Sequence, residues 1–166
     1  MKKTFSVLTV SLLMVAMLML MLNVQPASAP SVPSMIYIKS DGSIDPSTAP
    51  ILRSGDVYTF TDNIVDCLGV KVQRNNVVID GRGFMLQGTG TGKGFDLEGV
   101  SGVTIQSVLI TGFEYGVYLS GGGNHTLIKN WITGNSLDGV ACMHLPQTVI
   151  PSDATAYQAV ADMGST

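Results

Sequence analysis

The chain is poor in charge: only 13% of its 166 residues are Asp, Glu, Lys or Arg, where soluble domains average about 25%. Basic residues are few, with 9 Lys and Arg against 12 Asp and Glu, and they form no patch. Proteins that neutralise nucleic-acid phosphates need such a patch, so we expect no nucleic-acid partner. Blocks of like charge are also absent and 45% of the residues are hydrophobic, which argues against a disordered chain.

Cysteine and catalytic motifs are scarce as well. Cys67 and Cys142 are the only cysteines; they could form a disulfide in an exported protein, and a buried free thiol is the alternative. The sequence contains no nucleophile triad, P-loop, zinc-ligand spacing or dinucleotide fingerprint. The glycine-rich segment 88–92 precedes no helical pattern, so it predicts a flexible corner loop and not a phosphate cradle.

The long apolar run lies at the N-terminus. Residues 4–22 hold no charge, Lys2 and Lys3 precede them, and an A-x-A site ends at Ala29. This pattern predicts a secretory signal peptide over residues 1–29. An uncleaved anchor is the alternative, because about 20 apolar residues span a bilayer. Either way we expect an exported domain, extracellular or in the cell envelope, that touches a membrane only through this segment.

The remainder contains a repeat. Short apolar strands alternate with Gly, Asn, Asp and Ser turns over residues 57–140, without helical spacing. The isoleucines Ile79, Ile105 and Ile128 recur at nearly equal spacing. Two further alignments have a similar period: Gly94-Phe95 with Gly116-Val117 and Gly139-Val140, and Ile110-Thr111-Gly112 with Ile132-Thr133-Gly134. A period of about 23 residues made of strands and turns predicts a β-solenoid, in which each repeat is one coil.

The predicted fold is therefore all-β, a parallel β-helix of about three to four coils after the N-terminal signal segment. Alternate residues should point inward and stack with their equivalents in the next coil. The expected inner stacks are Val77 and Ile79, Val103 and Ile105, and Leu127 or Ile128. We expect residues 30–56 to form a leader or cap and residues 57–140 to form the coils. Residues 141–166 form a divergent tail, either a cap or the product of a truncated reading frame.

Two segments carry a resemblance to a known family. The run Asn75-Asn76-Val77-Val78-Ile79-Asp80-Gly81-Arg82-Gly83 resembles the first coil of right-handed parallel β-helix proteins of the pectin-lyase-like superfamily. The leader from Ile36 to Pro46 is similar to the entry segment of exported archaeal members, and the resemblance extends over about residues 35–140. It implies a right-handed solenoid. It does not select an activity, because this fold serves lyases, hydrolases, adhesins and periplasmic proteins of copper-site maturation.

Acidic residues are the candidates for catalysis. Lyases of this superfamily use acidic calcium ligands with an arginine or lysine base, and solenoid hydrolases use clustered carboxylates. The candidates here are Asp80, Arg82, Asp96, Glu98 and Glu114. The alternative is a structural role, because Asp and Asn stabilise corners through local hydrogen bonds. We expect Asp96 and Asp138 at different corners, which would favour that structural role.

Aromatic residues make up only 7% of the chain, and three of them are candidate carbohydrate contacts. Tyr115, Tyr118 and Trp131 are expected on consecutive coils, with Tyr118 outward if Val117 is inward. Phe113 and Trp131 have a core position as the alternative. The sequence Asn124-His125-Thr126 is a glycosylation sequon in an expected loop.

A metal site is a further alternative. Cys142, Met143 and His144 place three ligands that copper favours side by side. Adjacent residues of a strand point to opposite faces, so these three would need help from distant ligands. We expect no cofactor unless the protein is a lyase, which would use calcium, or a copper-handling protein. Asn130 and Asn135, like Asn124, lie near turns, where stacked asparagines form hydrogen-bonded ladders in related β-helices.

Taken together, these features favour an exported, non-catalytic surface or extracellular module that binds carbohydrate or other envelope material. The first alternative is a polysaccharide lyase or glycoside hydrolase, which requires clustered acids and a basic residue on one sheet. The second is a periplasmic copper-binding protein, which requires Cys142, Met143 or His144 to meet another soft ligand.

Overall fold

The computed structural model describes residues 34–143, and all regular secondary structure within this range is β-strand. The strands form three sheets whose successive members are mainly parallel, so the predicted all-β parallel solenoid is confirmed. The predicted signal peptide or anchor (residues 1–29) and residues 144–166 of the predicted tail lie outside the described residues.

Three short strands precede the coils. They are β1 (Met35–Ile38), β2 (Ile44–Asp45) and β3 (Ile51–Ser54). Strand β2 pairs antiparallel with β1, and β3 pairs antiparallel with the next strand along the chain. Because β2 and β3 are each the outermost strand of a sheet, this antiparallel pairing ends the parallel stack at its N-terminal side.

Four coils follow. Each contributes one strand in turn to the five-stranded sheet 2, the four-stranded sheet 3 and the six-stranded sheet 1. Coil 1 consists of β4 (Val57–Phe60), β5 (Ile64–Cys67) and β6 (Gly69–Val72). Coil 2 consists of β7 (Val78–Asp80), β8 (Met85–Gly88) and β9 (Lys93–Glu98). Coil 3 consists of β10 (Thr104–Gln106), β11 (Leu109–Thr111) and β12 (Tyr115–Ser120). Coil 4 consists of β13 (Thr126–Ile128), β14 (Trp131–Ile132) and β15 (Asp138–Met143).

The order of strands in each sheet follows from this path. Sheet 1 has the order β15-β12-β9-β6-β1-β2, sheet 2 the order β13-β10-β7-β4-β3, and sheet 3 the order β14-β11-β8-β5. Each strand therefore lies beside its equivalents one coil earlier and one coil later. Outward-facing residues of successive coils form columns along the solenoid axis, about 4.8 Å apart.

The core is a set of inward stacks. Ile79 pairs with Ile105, which pairs in turn with Leu127, and all three side chains are fully buried. Of the two residues expected at the end of this stack, Leu127 is therefore the inner one. The alignment of Ile128 with Ile105 was wrong by one position, since Ile128 pairs with Gln106 on the outer side. A slip of one position moves a side chain to the opposite face of a strand.

The coils differ in length although their strands stay in register. Val57, Val78, Thr104 and Thr126 are successive partners in one column of sheet 2. The step from Val78 to Thr104, which covers coil 2, is longer than the step before it and the step after it. Much of the additional length of coil 2 lies in its corners, at residues 81–84 and 89–92.

Candidate functional site

A local irregularity brings outward residues of sheet 1 together. Tyr115 pairs with Lys93 and Val117 with Phe95, while Gly94 and Gly116 lie between these pairs. A Cβ added to Gly116 would meet the core methyl Cγ2 of Ile132 at 2.5 Å, so Gly116 faces inward beside the buried Val117. Because two consecutive residues face inward, the residues that flank them, Tyr115 and Tyr118, lie on the same outer side.

We call the resulting surface the sheet-1 face. It consists of Lys71, Lys93, Asp96, Glu98, Tyr115 and Tyr118. Three columns cross it along the solenoid axis: Lys93 lies beside Tyr115, Lys71 beside Asp96 and then Tyr118, and Glu98 beside Ser120. The acids Asp96 and Glu98 therefore share one surface with the two tyrosines, although the sequence had suggested two separate sets of candidates.

Asp96 is the centre of the charges on this face. Its side chain is buried, with 6% of the residue exposed, and both oxygens are paired: Oδ2 lies 3.0 Å from Lys71 Nζ and Oδ1 lies 3.4 Å from Lys93 Nζ. Lys71 Nζ also lies 3.7 Å from Glu98 Oε2. A carboxylate this buried requires such partners, because an unpaired buried charge is costly. The hydrogen bond to Asp96 raises the pKa of Lys71 above its ordinary value.

The two tyrosines extend the face on the neighbouring strand. Their ring centroids are 5.6 Å apart with an edge-on orientation, a favourable geometry for aromatic pairs. Lys93 Nζ lies 3.5 Å from the centroid of Tyr118, within reach of a cation–π interaction. Lys93 thus contacts both Asp96 and Tyr118, and it holds the charged and the aromatic parts of the face in one arrangement.

This arrangement is better suited to binding than to proton transfer. Asp96 is covered and engaged by two ammonium groups, so it is poorly placed to accept or donate a proton. A general base must lose its proton near the working pH, whereas the pKa of Lys71 is raised. The face offers aromatic rings, ammonium groups and a partly free carboxylate on Glu98, which is a set of groups that can bind a polar ligand.

The remaining acidic candidates lie at or beside corners, since Asp80 ends β7 and Glu114 lies between β11 and β12. Asp80 Oδ1 accepts a hydrogen bond from the backbone N–H of Arg82 at 3.0 Å, and Arg82 has the left-handed backbone angle φ of 51°. Glu114 Oε2 accepts a hydrogen bond from the backbone N–H of Gly92 at 3.2 Å. These are turn interactions within or between coils, as the structural alternative expected. Neither acid belongs to the sheet-1 face.

The expectation for Asp96 and Asp138 was wrong. Asp96 lies inside β9 and Asp138 is the first residue of β15, so both belong to sheet 1 and not to two corners. Asp is disfavoured within strands. Its position in β9 is made acceptable by the two lysines, which lie on the same strand and on the strand of the preceding coil.

The aromatic candidates are distributed differently from the expectation. Tyr115 and Tyr118 share the single strand β12, and Trp131 lies one coil later but on sheet 3. Val117 is buried and Tyr118 outward, as predicted. Phe113 fills the core, whereas Trp131 is 53% exposed, so the core alternative is correct for Phe113 and wrong for Trp131.

Coil 4 has polar residues at corner positions that are apolar in coil 3. His125, Asn130 and Asn135 lie next to Val103, Val108 and Phe113 of the preceding coil. Asn130 accepts a hydrogen bond from the Val108 N–H at 3.1 Å and donates one to the Ile105 carbonyl at 2.8 Å; Asn135 accepts from the Phe113 N–H at 3.1 Å. These bonds connect consecutive coils, so Asn130 and Asn135 have a structural role, but they bond to the backbone beside Val108 and Phe113 and do not form the expected ladder of stacked asparagines.

His125 differs from the two asparagines. It is fully buried, and within the described part of the chain neither of its ring nitrogens has a hydrogen-bond partner. Burial lowers the pKa of His125, and the nearby carbonyls of Val100 and Val103 oppose this shift only in part. The adjacent sequon residue Asn124 is exposed, with φ of 57°, at the corner between sheets 1 and 2. Glycosylation of Asn124 stays a prediction.

The two cysteines are free thiols in this structure. Cys67 is buried in coil 1 and Cys142 is exposed in coil 4, so the disulfide considered from the sequence is not formed. Burial raises the pKa of Cys67 to about 11. Cys142 and Met143 are neighbours on β15, whereas His144 lies outside the described residues. Among residues 34–143, no three or more His, Cys, Asp or Glu side chains are grouped to hold a metal ion.

Lys71 and Lys93 were missed by the sequence analysis. Their signal was the strand register, since Lys71 precedes the buried Val72, and Lys93 precedes the Gly94-Phe95 pair that was already aligned with Gly116-Val117.

In the described range, no helix is long and apolar enough to cross a membrane. Comparison of the chain with protein-family models, with curated proteins and with solved structures finds no match.

Proposed function

We propose that this protein is an exported module that binds carbohydrate or other envelope material through the sheet-1 face. The observation that carries the proposal is the adjacent pair Tyr115 and Tyr118, whose rings lie 5.6 Å apart beside the paired groups of Lys93 and Asp96. Sugar rings combine an apolar C–H face with a rim of hydroxyl groups. Aromatic rings next to charged hydrogen-bonding groups match both of these features.

The charges of the face suggest the first ligand to examine. Lys71 and Lys93 place two ammonium groups on the outer side of sheet 1. Asp96 pairs with both and Glu98 lies near Lys71, but each ammonium group has three N–H donors, so donors remain for the carboxylates of an acidic polysaccharide. The inward stacks hold β9 and β12 in a fixed register, so these groups are positioned before a ligand arrives. Such preorganisation lowers the entropic cost of binding.

The double variant Tyr115→Ala with Tyr118→Ala tests this proposal. We expect its retention in affinity electrophoresis gels containing polygalacturonate to weaken by roughly tenfold, because truncating an aromatic anchor costs on the order of 1–2 kcal/mol. The variant Leu52→Ala is the matched control, since Leu52 is 66% exposed in the antiparallel entry region. Equal retention of both variants, or no retention of the wild type by polygalacturonate, would show the proposal to be wrong.

A polysaccharide lyase or glycoside hydrolase is the second candidate. It is favoured by the presence of Asp96 and Glu98 on one strand with Lys71 and Lys93 within 3.7 Å of them. If it is correct, incubation of the protein with polygalacturonate will release new reducing ends, and Glu98→Gln, which changes the exposed carboxylate of the face, will abolish this release. Binding without any chain cleavage would reject this candidate and leave the binding module.

A further inference from the structure

Sheet 3 presents an exposed indole and one further exposed apolar side chain to solvent. Of the six large hydrophobic residues that are exposed in the described range, two belong to strands of sheet 3: Val65 with 48% and Trp131 with 53% exposure. Two more, Leu68 and Leu137, lie between strands of sheet 3 and sheet 1. An exposed indole beside further apolar side chains is suited to contact with the apolar face of a ligand.

Half-buried side chains make this surface continuous. Met85 pairs with Leu109 and Leu109 with Trp131, so these three residues form one outward column over coils 2, 3 and 4. The column begins at Met85, because in coil 1 Ile64 pairs with Leu86 and the next residue, Val65, therefore lies beside Gln87 in the neighbouring column. We call this set the sheet-3 column. It runs along the solenoid axis and ends at an exposed indole.

A second column of uncharged polar groups lies beside it. Gln87 pairs with Thr111, and Thr133 follows Ile132, the partner of Ile110. These residues lie two positions along the strands from the members of the apolar column, so they point to the same side. Asp66 is the only charged residue in the four strands of sheet 3. The sheet-3 column therefore differs in its chemistry from the charged sheet-1 face.

The size of this strip indicates what it can hold. Its strands are only a few residues long, so the strip is about 10 Å wide and about 15–20 Å long. An area on the order of 200 Å² is well below the roughly 800 Å² per partner that a specific protein interface buries. A second copy of the chain would gain too little contact on this strip. A single extended polymer chain fits its shape.

We infer that sheet 3 is a second carbohydrate-binding surface, on which one neutral polysaccharide chain lies along the solenoid axis. The sugar rings stack on the indole of Trp131 and pack against the side chains of Leu109 and Met85. Their hydroxyl groups form hydrogen bonds with Gln87, Thr111 and Thr133. The scarcity of charge selects against an acidic polymer, whose carboxylates would lose water without gaining a partner. This surface is separate from the sheet-1 face, and its function does not depend on the function proposed for that face.

Intrinsic fluorescence tests the inference directly, because Trp131 is the single tryptophan of the chain. The full-length protein is titrated with a soluble neutral β-glucan and, separately, with polygalacturonate. We expect the glucan to shift tryptophan emission to shorter wavelength and to protect it from acrylamide quenching, because stacking removes water from the indole. Polygalacturonate should leave both properties unchanged. Unchanged emission with the glucan, or an equal response to both polymers, overturns the inference.

Variants separate this result from the proposal for sheet 1. Trp131→Ala should weaken retention in glucan-containing gels by roughly tenfold, whereas Leu52→Ala should have no effect. The Tyr115→Ala and Tyr118→Ala double variant should keep the full fluorescence response to glucan. If the response is lost in the tyrosine double variant, the glucan binds at sheet 1 and the inference is wrong while the proposed function remains. If the tyrosine double variant keeps the fluorescence response to glucan but polygalacturonate does not retain the wild-type protein, the inference remains and the proposed function is wrong.

Discussion

Replacement of Ile105 by alanine is expected to lower the free energy of unfolding by about 2–5 kcal/mol. Ile105 is fully buried, and it lies in the middle of the stack that contains Ile79 and Leu127. Its truncation leaves a cavity between two coils that are fixed in position by their own strand pairing. The cavity can therefore collapse only in part, and the lost contacts are not recovered.

Chemical denaturation of the full-length chain, followed by far-UV circular dichroism, measures this effect. The variant Thr104→Ala is the matched control on the same strand, because Thr104 faces outward and is only half-buried. We expect the control to change stability by less than about 1 kcal/mol, as is usual for surface substitutions. Similar losses for both variants would mean that the inward assignment of Ile105 is wrong.

The second large effect is expected from His125→Val, which should stabilise the protein by about 1–2 kcal/mol at neutral pH. His125 occupies the position that Val103 and Val77 occupy in the two preceding coils. Both of its ring nitrogens are buried without a hydrogen bond among residues 34–143. Valine removes this desolvated polar group and restores the side chain that the same stack carries in the neighbouring coils.

The advantage of the valine variant should increase as the pH falls from 7 to 5. Burial lowers the pKa of His125 in the folded protein, so the unfolded chain takes up a proton first, near the ordinary pKa of 6.5. Wild-type stability is therefore lost as the pH falls below that value, and the loss levels off below the folded-state pKa. Carboxylate titration affects both proteins equally. A pH-independent stability difference between them would contradict this account.

The repeat pattern was sufficient to predict the fold, because two physical constraints act together. The period of two along a strand decides which residues face inward, and the coil period decides which inward residues stack. Val77, Val103 and Ile105 were placed correctly by these constraints, and all three are fully buried. The alignment of Ile128 failed because coil 3 is one residue shorter than that alignment assumed. Leu127 and Ile128 are both apolar, so the sequence did not reveal the slip, and a slip of one residue moves the side chain to the opposite face of the strand.

The candidate site was less predictable, because it depends on contacts between coils. Asp96 had the appearance of a turn residue in the sequence, and only its distances of 3.0 Å and 3.4 Å to the lysines Lys71 and Lys93 explain its place inside a strand. Lys71 is separated from Asp96 by 25 residues. The meeting of Tyr115 and Tyr118 also depends on the paired inward residues Gly116 and Val117, which interrupt simple alternation.

The unequal coil lengths have a consequence for how this chain can change. The chain takes a longer path from Val78 to Thr104 than from Thr104 to Thr126, yet these residues remain partners in one column. Corners thus absorb insertions without transmitting them to the sheets. A foreign peptide grafted between Thr89 and Thr91, both exposed, should project from this corner while sheets 1 and 3 keep their register. Evolution could diversify such a loop without altering either face.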